Sequence, residues 1–245
     1  MLRHPLYWLS AIATLALAAP AHVARQADTY PCTDGVFILG ARGADSSMIS
    51  PIGVSPNYQD LEGLEVIANA LIQHVGKGSY LRALPYAAAI EPGVDLLNIG
   101  GGVDKAQSII KDYVGRCTNP RIVLLGFSTG AQVMTSTLIG GQLRGNLDAY
   151  KQYITAGALF GDPSFTANVE PLDAGNSTTS GASARSASDA AYYNQNYGSK
   201  LRNYCQAGDA ACANGGLGDA AVAIHLAAIQ TYQQDAINFL TSIVS

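Results

Sequence analysis

The chain has 245 residues, of which 48% are hydrophobic and only 13% are charged, so it has ample material for a core and little for a salt-bridged surface. A net charge of −4 without any basic cluster argues against a nucleic-acid partner. The absence of a run of 18 or more apolar residues argues against a transmembrane helix and a membrane partner.

The first residues have the features of an export signal. A weakly positive start is followed by an apolar stretch from Leu6 to Ala19, which is too short to span a bilayer. Ala16-Leu17-Ala18 and Ala19-Pro20-Ala21 are small-x-small cleavage patterns, and a buried N-terminal helix is the alternative interpretation. We predict a signal peptide over residues 1–19 with cleavage between residues 18 and 27, secretion, and one domain over residues 28–245.

Apolar runs and helical spacings alternate along the rest of the chain. Short apolar runs predict strands at residues 36–40, 81–86, 122–125 and 153–160. Apolar residues three and four apart predict helices near residues 64–75, 103–114, 129–139 and from 225 onward. This alternation indicates an α/β fold with a mainly parallel sheet covered by helices on both faces.

The segment from Asn168 to Asn203 differs from its surroundings in composition. It is rich in Ser, Ala, Thr, Asn and Tyr and has no clear periodicity, so we predict a long surface excursion. It contains Asn176-Ser177-Thr178, which is a glycosylation acceptor in an exported chain, although such triplets are also common by chance.

Four cysteines in an exported chain predict two disulfides. Three pairings are possible, and the closeness of Cys205 to Cys212 favours joining these two, which leaves Cys32 with Cys117. There is no Cys-x-x-Cys and only one histidine near these cysteines, so a zinc site is not expected.

A serine between two glycines directly follows the predicted strand at residues 122–125. In the sequence Gly126-Phe127-Ser128-Thr129-Gly130, the glycines avoid collisions in a tight strand-to-helix turn that lifts the serine Oγ clear of the sheet. The turn also points the first amides of the next helix at the place where negative charge develops. The alternative is an ordinary turn, but the flanking strand and helix patterns favour a nucleophile.

A serine nucleophile needs a general base, and the chain has four histidines. His4 lies in the predicted signal, and His22 lies near its processing site. His74 belongs to an amphipathic helix, where a surface or core role is favoured. We therefore predict that His225, placed at the start of the last helix, is the base for Ser128.

The orienting acid should lie between Ser128 and His225, as in α/β hydrolases. Asp209 stands out because two cysteines bracket it, and a small disulfide-closed loop would hold its carboxylate in place. Asp162, in Gly161-Asp162-Pro163, is the rival, and its non-catalytic role would be to cap turn amides. The remaining carboxylates in this interval are Asp148, Glu170, Asp173, Asp189 and Asp219.

These pieces together resemble the cutinase and acetylxylan esterase family of small, fungal-type, secreted serine esterases. The similar motifs run from Cys32 to the last helix and are "FILGARG", Cys117 ahead of the serine, "GFSTGAQV", "LFGDP", "YCQAGDAAC" and "IHLAAIQTY". The resemblance implies a single-domain α/β-hydrolase fold without a large lid, and ester hydrolysis without a cofactor. It also implies the disulfides Cys32–Cys117 and Cys205–Cys212 and the triad Ser128, Asp209 and His225.

The same resemblance implies an oxyanion hole built from the amides of Thr129 and Ala44. The family usually has Tyr and Gln where this chain has Phe127 and Thr129, and a backbone amide tolerates that change. The position of Ala44 usually carries a hydroxyl that donates a further hydrogen bond, which alanine lacks. Ser46 and Ser47 are the candidates to replace that donor, and the departure concerns the turnover rate more than the reaction class.

The motifs resemble two groups within this family that have different substrates. Gly161-Asp162-Pro163 and Leu84-Pro85-Tyr86 are similar to acetylxylan esterases, whereas the Ala-Arg-Gly loop and His225-Leu226 are similar to cutinases. The expected substrates are short-chain acyl esters of plant cell-wall polysaccharide, with cutin or lipid esters as the alternative.

A catalytically weak binding protein on the same fold is the alternative from another class of function. The expected oligomeric state is a monomer. Tyrosines that could form a sugar platform, or simply pack locally, are Tyr192, Tyr193, Tyr197 and Tyr204.

Overall fold

A computed structural model of the chain describes residues 30–44, 59–76, 78–88, 95–141 and 143–244. The predicted signal peptide, His22, Ser46 and Ser47 lie outside the described residues. The described residues from Pro31 onward form one compact unit. Within the described ranges, no helix is both long and apolar enough to cross a membrane.

The core of the unit is a six-stranded sheet in which all neighbouring strands are parallel. Its order is β2-β1-β3-β4-β6-β5. Every residue of β1 and β3 is buried, which explains why these strands are continuous apolar runs rather than alternating ones. The strands are β1 Phe37–Ala41, β2 Tyr80–Ala83, β3 Ile122–Phe127, β4 Ile154–Phe160, β5 Asp173–Gly175 and β6 Leu201–Cys205.

Helices cover both faces of this sheet, as predicted. The helices are α1 Leu64–Val75, α2 Asp95–Arg116, α3 Thr129–Ile139, α4 Ala187–Tyr197, α5 Asp219–Leu226 and α6 Ala228–Ile243. Helices α1 and α6 share one buried cluster with Ile38 of β1. The preceding residue Phe37 points to the opposite face, where its ring stacks on Tyr113 of α2 at 4.3 Å.

Some predicted boundaries differ from the structure. Helix α2 begins at Asp95 rather than near Val103, because three consecutive glycines at residues 100–102 interrupt the apolar spacing of its first turns. One of them, Gly102, lies so close to its neighbours that an added Cβ would be 2.8 Å from Val133 Cγ2. Strand β2 ends at Ala83 rather than at Tyr86. The predicted last helix is preceded by the separate helix α5.

The prediction of a long surface excursion over residues 168–203 is wrong in one respect, because the segment has regular secondary structure. The segment contains β5, α4 and the start of β6, and the Ser186 side chain caps α4 by accepting the Asp189 N–H. Helix α4 has no aliphatic stripe, because its buried face is formed by Ala190, Tyr193 and Tyr197. Tyr204 is also buried, so packing rather than a sugar platform accounts for most of these tyrosines.

Candidate active site

The candidate residues lie at one edge of the sheet because parallel strands end there together. Ser128 follows β3, Gly161 follows the neighbouring β4, and the loop with Asp209 follows β6. The segment from Arg42 to Ala44 follows β1 on the other side of β3. Ligand sites of open α/β sheets form beyond such carboxyl ends.

Ser128 occupies a strained turn between β3 and α3. Its φ of 54° and ψ of −125° lie where non-glycine residues are rare. A Cβ on Gly126 would be 2.7 Å from the Ala131 Cα, and a Cβ on Gly130 would be 2.2 Å from the Ala41 carbonyl oxygen. Both glycines are therefore required by contact with backbone atoms, as the motif predicts.

His225 lies within hydrogen-bond distance of both Ser128 and Asp209. Its Nε2 is 2.9 Å from Ser128 Oγ, and its Nδ1 is 3.0 Å from each carboxylate oxygen of Asp209. Asp209 is fully buried, whereas the His225 side chain is 13% exposed. Such an arrangement lets the imidazole take the serine proton while its Nδ1–H donates to the carboxylate. His225 lies near the end of α5, not at the start of the last helix as the sequence suggested.

The loop around Asp209 holds its carboxylate through two backbone donors. The backbone N–H groups of Ala211 and Cys212 donate to Oδ1 at 2.7 and 2.9 Å. The Cys205–Cys212 disulfide closes this loop, and the second disulfide joins Cys32 to Cys117, so both favoured pairings are present.

Asp162, the rival acid, has different partners. Its Oδ1 accepts the Ser164 N–H and hydroxyl, and its Oδ2 accepts from Thr135 and Asn203. These bonds compensate the burial of a carboxylate and hold the turn after β4. The structure thus gives Asp162 the capping role rather than contact with His225.

Two contacts that orient His225 had not been predicted from the sequence. The Phe127 ring stacks on the imidazole with centroids 5.0 Å apart. Gly161, with a φ of 61°, lies so close that an added Cβ would be 2.8 Å from His225 Cε1. A glycine at the carboxyl end of β4 was the available signal for this second contact.

Gly161→Ala is therefore expected to displace the imidazole and to lower kcat for an activated ester about 100-fold. Gly76→Ala is the matched control, because Gly76 also has a positive φ, of 72°, but nothing lies within 4 Å of an added Cβ. It should cost about 1 kcal/mol of stability and leave kcat unchanged. Equal kcat in the wild type and Gly161→Ala would show that this contact does not position His225.

The residues proposed for the oxyanion hole come from two segments. Thr129 is the first residue of α3, and the first N–H groups of a helix have no intrahelical acceptor. In the other segment the Gly43 N–H donates to Glu62 Oε2 at 2.6 Å, and Tyr86 Oη donates to the Arg42 carbonyl at 2.6 Å. The Gly43 N–H is thus already bound to a carboxylate.

Asn176 and His74 are two further candidate positions from the sequence. Asn176 is exposed, and its Oδ1 accepts the Ala207 N–H at 2.7 Å. His74 is exposed near the end of α1. In the described part of the chain, no group of three His, Cys, Asp or Glu residues is arranged to hold a metal ion.

A parallel α/β sheet with a serine in a strained turn after one strand and an acid loop after a later strand is the architecture of the α/β hydrolases. The chain belongs to the cutinase family, whose sequence model, described as "Cutinase", matches residues 32–244.

The relatives include both cutinases and acetylxylan esterases. Cutinase 11 of Verticillium dahliae is 30% identical, over 58% of this chain and 48% of its own length. The acetylxylan esterase of Hypocrea jecorina is 30% identical, over 73% of this chain and 61% of its own length. These matches therefore span less than two thirds of either relative. The catalytic core domain of the acetyl xylan esterase from Trichoderma reesei superposes with a TM-score of 0.67 at 23% identity, covering 87% of this chain and all of that domain.

Proposed function

We propose that this protein is a secreted serine esterase that hydrolyses carboxylic esters through Ser128, His225 and Asp209. The observation that carries the proposal is the continuous contact of these three side chains, with 2.9 Å between Ser128 Oγ and His225 Nε2 and 3.0 Å from His225 Nδ1 to Asp209. The 30%-identical relatives named as cutinase and acetylxylan esterase support the reaction class.

The reaction proceeds in two acyl transfers. His225 takes the proton from Ser128 as the serine oxygen attacks the ester carbonyl, and Asp209 stabilises the imidazolium that forms. The backbone N–H groups of Thr129 and Ala44 bind the oxyanion of the tetrahedral intermediate. His225 then gives its proton to the leaving alcohol, and water releases the acid by the reverse steps.

This geometry favours an enzyme over a binding protein that has lost its activity. A binding protein does not need Ser128 in a strained turn, and it does not need the His225 imidazole directed at the Ser128 hydroxyl. Two backbone N–H groups also hold the buried Asp209 in place. Ala44 removes a side-chain donor but keeps the backbone donor, which is the group that the mechanism uses.

Short-chain acyl esters of plant cell-wall polysaccharide are the proposed substrates, as the acetylxylan esterase relative suggests. One observation favours the alternative, a cutin-like polyester or lipid ester. Leu226, directly after His225, is 68% exposed, and Leu217, ahead of α5, is 90% exposed. An exposed leucine directly after a proposed catalytic histidine fits a longer acyl chain better than an acetyl group.

We also propose export and modification. The segment before residue 20 is the proposed signal peptide, and two disulfides fit an oxidising compartment. Asn176 is the proposed glycosylation site, because it is exposed and the bond to Ala207 uses the amide oxygen rather than the nitrogen to which a glycan attaches.

The test is hydrolysis of p-nitrophenyl acetate, butyrate and octanoate by the purified protein, with Ser128→Ala as the control. We expect kcat/KM to fall with acyl length and the protein to release acetate from acetylated xylan. A preference for octanoate that is lost in Leu226→Ser would favour the cutin-like alternative. Equal rates for the wild type and Ser128→Ala would remove the esterase proposal.

A further inference from the structure

The two donors of the proposed oxyanion hole are far apart in sequence, and both must point at the same oxygen atom. Ala44 lies in the segment after β1, and Thr129 begins α3. Both donors are backbone N–H groups, so their directions depend on the orientation of the peptide planes around them. Ala44 has no side-chain hydroxyl that could correct a misplaced plane.

The peptide group that joins Arg42 to Gly43 is bound at both ends. Its carbonyl oxygen, on Arg42, accepts the Tyr86 hydroxyl at 2.6 Å. Its N–H, on Gly43, donates to Glu62 Oε2 at 2.6 Å. A donor on one side and an acceptor on the other oppose a flip of this plane, since a flip would break both short hydrogen bonds.

The Tyr86 oxygen also reaches the other half of the hole. It lies 3.4 Å from Thr129 Oγ1. Because the phenol donates its one proton to Arg42, the threonine hydroxyl is the donor in this contact. Burial raises the pKa of Tyr86 well above its usual range, so the phenol keeps that proton at any pH suited to an esterase.

The two side chains that bind this peptide group, Tyr86 and Glu62, are themselves held in place. Tyr86 is 3% exposed, and an added Cβ on Gly102 of α2 would be 2.9 Å from its Cδ2, so the ring packs directly on that helix. The Leu84 N–H donates to the Gly40 carbonyl at 2.7 Å, which ties the Tyr86 segment to β1. The Glu62 carboxylate is also 3.8 Å from the guanidinium of the buried Arg42.

We propose that Tyr86 and Glu62 are positioning residues that clamp the Arg42–Gly43 peptide plane. This plane directly precedes the one that carries the Ala44 N–H, so the clamp restricts where that N–H can point and favours the oxyanion. This inference rests on the proposed esterase function. The clamp acts on the transition state, where the negative charge is on the carbonyl oxygen, more than on the bound ester. Its loss should therefore lower kcat more than it changes KM.

The experiment measures kcat, KM and Tm for p-nitrophenyl acetate hydrolysis in Tyr86→Phe, Glu62→Leu and Glu62→Gln. We expect Tyr86→Phe and Glu62→Leu each to lower kcat about tenfold with KM within about twofold, which is less than the loss of an oxyanion donor itself. Glu62→Gln keeps an acceptor oxygen and should retain most of the activity. The double variant should cost less than the product of the single effects, because both groups hold one peptide plane.

Tyr113→Phe is the matched control. Tyr113 is a fully buried tyrosine whose hydroxyl is 2.8 Å from Thr33 Oγ1, and its ring packs on Phe37 at the opposite end of β1. The Tyr113→Phe variant should have a lower Tm and an unchanged kcat.

The possible outcomes separate the two proposals. If Tyr86→Phe and Glu62→Leu keep kcat within twofold of the wild type while Ser128→Ala is inactive, the clamp is overturned and the esterase function stands. An equal loss of kcat in Tyr113→Phe would also overturn the clamp, as a general packing effect. A wild type no faster than Ser128→Ala would remove the esterase function and the clamp with it. If Tyr86→Phe does not fold, Glu62→Leu decides, because the Glu62 side chain is 28% exposed.

Discussion

His225→Ala is expected to lower kcat for p-nitrophenyl butyrate by about 10⁵-fold. The imidazole is the group that contacts both Ser128 Oγ and the Asp209 carboxylate, so its removal leaves the serine hydroxyl without a base. Combining His225→Ala with Ser128→Ala should cost no more than either change alone, because the residues act as one unit. Steady-state kinetics on the three variants measure both expectations.

His74→Ala is the matched control for this loss. His74 is exposed near the end of α1, which leads to the start of β2 and not to the sheet edge where Ser128 lies. Its kcat should equal that of the wild type, and its Tm should change little. A His225→Ala variant that keeps a tenth of the wild-type kcat would contradict the assignment of the base.

Gly130→Ala is expected to destabilise the protein by about 3 kcal/mol or more and to abolish measurable activity. An added Cβ would be 2.2 Å from the carbonyl oxygens of both Ala41 and Arg42, and backbone atoms cannot move aside cheaply. The resulting shift would separate α3 from β1, and it would move the Thr129 N–H together with the loop that carries Ala44. Urea unfolding and p-nitrophenyl acetate kinetics measure the two effects.

Gly115→Ala, in another helix, is the matched control and is expected to change stability in the opposite direction. Gly115 lies in α2, and nothing lies within 4 Å of an added Cβ. The substitution should stabilise the protein by about 0.5–1 kcal/mol, since alanine is the better helix former. Similar stabilities for Gly130→Ala and Gly115→Ala would mean that α3 and β1 are less closely packed than these distances indicate.

Local patterns in the sequence predicted the elements that carry the site. Helix α3 has the predicted bounds, and α1 ends at Val75 and is capped by Gly76, whose φ of 72° suits a helix C-terminus. These predictions succeeded because helical spacing, apolar strand runs and terminating glycines act within a few residues. The same patterns did not predict helix α4 in segment 168–203, because α4 buries alanine and tyrosine instead of a recognisable aliphatic stripe.

The order of chemical groups along the chain determined which residues were candidates. A glycine-flanked serine after a strand, an aspartate inside a cysteine-bracketed loop and one suitably placed downstream histidine needed no coordinates to be identified. The choice of Asp209 over Asp162 also followed from the nearby cysteines. These are properties of residue type and short spacing, which the sequence contains directly.

Only the tertiary structure decided how those candidates are held and aimed. The stacking of Phe127 on His225, the closeness of Gly161 to the imidazole and the binding of one peptide group by Tyr86 and Glu62 join residues that are distant in sequence. Their contacts arise because parallel strands bring β1, β3, β4 and β6 to a common edge. No local spacing encodes such distances, since they depend on the register of strands that pair only in the folded chain.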